Sequence, residues 1–81
     1  MKKLSVRGLG LSLGITWGAG VLILGIVAGV NGWGSEWVDL LSKVYRGYDS
    51  TFAGSIMGGV WGFVDAGIGG AVIAWLYNRF A

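Results

Sequence analysis

Asp65 is the residue best placed to do chemistry, because it is the lone charge in an apolar stretch from Thr51 to Tyr77. An ionisable side chain at the centre of a membrane span costs about 3 kcal/mol on insertion scales, so it has a partner or a function. Two kinds of chemistry fit. One is a proton or cation site, single or repeated as a ring of carboxylates around a pore. The other is a hydrogen-bonded carboxyl that fixes the register of packed helices. At a matching depth, an antiparallel first span offers Thr16 and Trp17, whose hydroxyl and indole N–H both donate. Asp65, Thr16 and Trp17 are therefore the candidate ion or proton site.

The remaining inventory mostly excludes. Without cysteine there are no disulfides, thiolate metal sites or thiol nucleophiles. Without histidine the usual general base and the commonest transition-metal ligand are missing. No second carboxylate within the span shares acid and base roles with Asp65. The expectation is a protein that is not an enzyme, with no metal centre and no cofactor. A net charge of +2, spread over the ends and the connector, is no nucleic-acid footprint.

Asp65 must be positioned by helices. The chain is 54% hydrophobic over only 81 residues, more apolar surface than a soluble domain of this size can cover. Leu9 to Val30 and Thr51 to Tyr77 each exceed the roughly 20 residues that cross a bilayer. The first run is too long and too glycine-rich for a signal-peptide core, and no Ala-x-Ala site follows it. The expected fold is an all-α membrane protein of one domain, residues 1–81. It is an antiparallel two-helix transmembrane hairpin with a short amphipathic interfacial helix in its connector, residues 31–50, and it assembles as an oligomer.

Small residues supply the contacts. In the second span Gly54, Gly58, Gly62, Ala66, Gly70 and Ala74 recur at every fourth position, and such rows let helix backbones approach closely in lipid. The first span carries Gly10, Gly14, Gly18, Gly25 and Gly29, with a second small set, Ser12, Thr16 and Gly20, nearly opposite. Two small faces suit a helix sandwiched between its own partner and a neighbouring chain. Gly54, Gly58 and Gly69 lie within about 40° of Asp65 around the helix, so the carboxyl is expected in the close-packed face rather than towards lipid.

In the connector, Asn31-Gly32-Trp33-Gly34 reads as a turn. Ser35 then caps a helix from Glu36 to Arg46 that stops at Gly47. Trp37, Leu40, Leu41, Val44 and Tyr48 share its apolar side, and the acids precede the bases as the helix dipole favours. Asp49 or Ser50 is expected to cap the second span. Trp33, Trp37, Tyr45 and Tyr48 are expected as interfacial anchors at one end, with Trp75 and Tyr77 at the other. Lys2, Lys3, Arg7 and Arg79 outnumber Lys43 and Arg46, which places both termini on the cytoplasmic side of the cytoplasmic membrane. The expected partners are the lipid bilayer, further copies of the chain, or a larger membrane complex.

The segments Gly14-Ile15-Thr16-Trp17-Gly18, Tyr45-Arg46-Gly47-Tyr48, Gly54-Ser55-Ile56, Trp61-Gly62-Phe63-Val64-Asp65 and Ala74-Trp75-Leu76-Tyr77-Asn78 resemble a family of short prokaryotic two-span membrane proteins. Its members are commonly labelled bacteriophage holin or membrane-associated protein. The resemblance spans nearly the whole chain and implies a hairpin with cytoplasmic termini that oligomerises into membrane lesions. The chain departs from holins after Tyr77, where Asn78-Arg79-Phe80-Ala81 stand in place of a charged tail. It is also similar to the rotor-ring subunit of ATP synthases in having a glycine-rich first helix and a mid-span carboxylate. It differs there in its glycine spacing, in a connector without the Arg-Gln-Pro loop, and in the inferred orientation.

Overall fold

The structure, a computed structural model, describes residues 3–81. Met1 and Lys2 lie outside the described residues, as does the share of the orientation reading that rests on Lys2. The described residues form three helices and no strand: α1 Val6–Asn31, α2 Ser35–Ser42 and α3 Phe52–Phe80. Two of them, α1 and α3, are long and apolar enough to cross a membrane. The molecule measures 47 × 18 × 18 Å.

Caps set the helix ends. The Ser5 side chain accepts the Gly8 N–H at the start of α1, and Gly32, at φ 79°, closes its end by donating to the Ala28 carbonyl. No β-carbon opposes the left-handed conformation there, and Gly32 is followed by a second such turn at Gly34. Thr51, rather than Asp49 or Ser50, caps α3 and accepts the Gly54 N–H. Asp49 supports it from outside the helix. Its carboxylate accepts both the hydroxyl and the backbone N–H of Thr51, and these bonds hold its pKa below the usual carboxylate range.

The long helices lie side by side and antiparallel. Gly10 meets Gly67 and Ala71, Gly14 meets Phe63, Gly18 meets Gly59, and Gly25 meets Ser55. At Gly14 and Gly18 an added β-carbon would stand 2.8 Å from the carbonyl oxygens of Phe63 and Gly59. Nothing larger than glycine fits unless the backbones separate. At the open end, Asn78 accepts the Leu4 N–H and donates to the Leu4 carbonyl, each at 2.7 Å.

The small row of α3 does not serve a single partner. Four residues advance the helix about 40° beyond a full turn, so a strict four-residue row winds around it. Gly62 and Gly70 reach α1, at Trp17, Val21 and Gly18 and at Leu9, Gly10 and Leu13. Gly54 and Gly58 have rotated towards the connector, where a β-carbon would run into Asp49 and the Tyr48 ring.

The connector departs from expectation. Its helix stops at Ser42 instead of running to Arg46, and the chain then turns back along the helix pair. Gly47, at φ 87°, makes that turn possible. Val38 and Leu41 face the core, while Trp37, Leu40 and Val44 are exposed. On a continued helix Tyr45 and Tyr48 would share the face of Val38 and Leu41, spread along its axis. Stopping early lets both rings enter a slot where their hydroxyls find partners, and buried polar groups require partners.

Candidate functional site

Tyr45 and Tyr48 are the main correction to the sequence reading. Neither stands on an interfacial belt: they are 4% and 2% exposed, packed with Val21, Ala28 and Val38. Tyr48 lies against Gly58 and Gly25, and its hydroxyl donates to the Val21 carbonyl at 2.7 Å. That carbonyl already belongs to helix α1, so the bond uses its second lone pair. Beside it, the Trp61 indole donates to the Arg46 carbonyl at 2.8 Å. Two bonds from opposite helices thus hold the returning segment.

Tyr45 completes the site. Its hydroxyl donates to Asp65 Oδ2 at 2.7 Å and accepts the Trp17 indole N–H at 2.9 Å. One residue from each of α1, the connector and α3 forms a single chain of hydrogen bonds. Trp17 was expected near Asp65 and is joined to it through Tyr45. Thr16 is not a member of this chain. It lines an adjoining groove of about 370 Å³ with Leu13, Trp17, Ala66, Gly69 and Ile73.

Asp65, expected in the close-packed face from the direction of Gly54, Gly58 and Gly69, stands exposed instead and is not enclosed between α1 and α3. The connector occupies that face beside Gly54 and Gly58, and the covering ends at Asp65. At Gly69, one turn further, a β-carbon would meet nothing within 4 Å. Gly20 on α1 is equally open, and Ser12 and Thr16 of the same small set are exposed.

The other anchors stay outside. Trp33, Trp37 and Trp75 are all more than half exposed, and Tyr77 is exposed to a lesser degree. The Arg79 guanidinium stands 5.9 Å from the Trp75 ring centroid, within cation–π range. Among the described residues no three His, Cys, Asp or Glu side chains come together as a metal site would require. Every buried side-chain polar atom of the described residues has a hydrogen-bond partner.

The site has two neighbourhoods of different polarity. Lys43 and Arg46 are exposed on the returning segment, and the Arg46 carbonyl sits on the order of 10 Å below the start of α3, judged from its bond to Trp61. The opposite side of the helix pair presents Ile15, Val60, Val64 and Ile68, all exposed and apolar. A carboxylate with one hydroxyl donor retains free acceptor capacity, so Asp65 can receive a cation or a further donor. Comparison with protein-family models, with curated proteins and with solved structures yields no match to this chain.

Proposed function

We propose that this chain is a small integral membrane protein, a two-span hairpin that assembles with further copies in the manner of a holin. In this reading the connector flank faces a water-filled axis, and Asp65 forms a cation-attracting ring near mid-membrane. The observation that carries the reading is the position of Asp65, which is exposed partway down an apolar helix where the connector's covering ends.

Backbone chemistry supports the same orientation. The segment after Ser42 is irregular, and inside a membrane such backbone is tolerated only against protein or a watery cavity. Lys43 and Arg46 on that segment also exclude bare hydrocarbon as its surroundings. The opposite face, with Ile15, Val60 and Ile68, suits lipid. The 47 Å length of the molecule is comparable with a bilayer including its headgroups, about 40–45 Å.

A non-catalytic subunit of a larger membrane complex is the second reading, favoured by one feature. Between Gly8 and Asn78 the only cationic residues are Lys43 and Arg46, both in the connector. Both lie on the segment that Tyr45 ties to Asp65, so any cationic partner beyond those two within the span would come from a different chain. Reconstitution in liposomes with an entrapped ion reporter separates the two readings. The pore reading expects leakage from the parent, altered several-fold in rate or selectivity by Asp65→Asn, with particle mass unchanged. Leakage no greater than in protein-free liposomes would overturn it.

A further inference from the structure

The face opposite the connector carries a groove of about 580 Å³ that differs from its neighbours in one respect. Its floor is Gly10, Gly67 and Ala71, its walls include Leu11, Val64 and Ile68, and Arg7 stands at one end. The small floor residues keep it open. Gly67 packs against Gly10 and Gly14 with its backbone, and without a side chain of its own it leaves the groove above that contact unfilled. The adjoining groove of about 330 Å³ on the same face, beside Ile15 and Val60, has no charged residue. The groove beside Thr16 has none either.

We propose that the Arg7 groove holds an acyl chain of an anionic phospholipid, with the guanidinium receiving the lipid phosphate. The proposal rests on the membrane reading but not on the pore. Arg7 follows the first residue of α1, close to where a headgroup lies if α1 spans the bilayer. From Arg7 to the level of Gly14 the helix rises on the order of 10 Å, comparable with the roughly 15 Å of hydrocarbon in one leaflet. The guanidinium fork matches phosphate oxygens with two parallel N–H donors. All four acidic residues, Glu36, Asp39, Asp49 and Asp65, lie outside the groove and leave Arg7 for an external anion.

Native mass spectrometry of the full chain released from nanodiscs of equal phosphatidylglycerol and phosphatidylcholine tests this. The parent is expected to retain phosphatidylglycerol about fivefold over phosphatidylcholine. Arg7→Gln should abolish the preference, and Ala71→Leu, which fills the floor, should reduce retention of both lipids. Arg79→Gln, which removes a cation stacked on Trp75 away from the groove, should leave the preference intact. Retention in the bilayer ratio by the parent would overturn the proposal, as would equal losses from Arg7→Gln and Arg79→Gln. Failure of the chain to enter nanodiscs would instead overturn the membrane reading, and the lipid site with it.

Discussion

Tyr45 donates its phenolic hydrogen to Asp65 across 2.7 Å, which ties the returning connector to the middle of α3. The same hydroxyl accepts from Trp17, so the bond also links α3 to α1. Tyr45→Phe deletes both interactions, leaving the Trp17 indole N–H and the Asp65 carboxylate without their shared partner. The variant should lose about 1–3 kcal/mol of stability, read as a lowered thermal midpoint in detergent. A double-mutant cycle of Tyr45→Phe and Asp65→Leu should show a coupling of about 1 kcal/mol, and strict additivity would refute the link.

The glycines divide into positions that are filled and positions that are open. Gly58→Leu drives its side chain into the Tyr48 ring and should displace the connector, costing about 1–3 kcal/mol or more. Gly69→Ala meets nothing within the chain and should leave the monomer fold intact or stabilise it by up to about 1 kcal/mol. Gly69→Leu is the informative variant. It should preserve the monomer's helix content and, in the proposed assembly, leave particle mass unchanged while slowing ion leakage, because Gly69 shares the water-facing groove with Thr16 beside Asp65. A lowered mass would instead make that flank a contact between copies and contradict the water-filled axis.

The sequence was most legible where helical periodicity is regular. The two long apolar helices, the turn through Gly32 and Gly34, and the contact glycines of α1 follow from spacing and backbone freedom. The connector was not legible. Its amphipathic pattern continues past Ser42, and local propensity alone favours extending the helix to Arg46. The rival is tertiary: a slot between Gly25 and Gly58 admits an aromatic ring, and the Val21 carbonyl accepts its hydroxyl. Tyrosine has an apolar body and a polar tip, so an interfacial anchor and a buried plug look alike in one dimension. The small row of α3 misled for a geometric reason, because its upper members rotate away from α1 and serve the connector instead.

Orientation across the membrane is accessible because the chain has no native cysteine. Ser42→Cys lies at the end of α2, and Ala81→Cys follows α3 at the opposite end of the molecule. An impermeant thiol reagent on intact cells should label Ser42→Cys and spare Ala81→Cys. The reverse pattern would invert the topology drawn from the basic residues.

Adjacent residues on α1 offer the most direct test of the central claim, that the connector flank faces water and the opposite flank faces lipid. Thr16 lines the groove beside Asp65, whereas Ile15 lines a groove on the opposite face at nearly the same depth. Both are exposed in the single chain, so only the surroundings of the assembly distinguish them. Single cysteines at the two positions, in protein reconstituted into liposomes, are treated with a charged thiol reagent. Thr16→Cys should react and Ile15→Cys should not. Reaction at Ile15→Cys alone, or at neither position, would contradict the account.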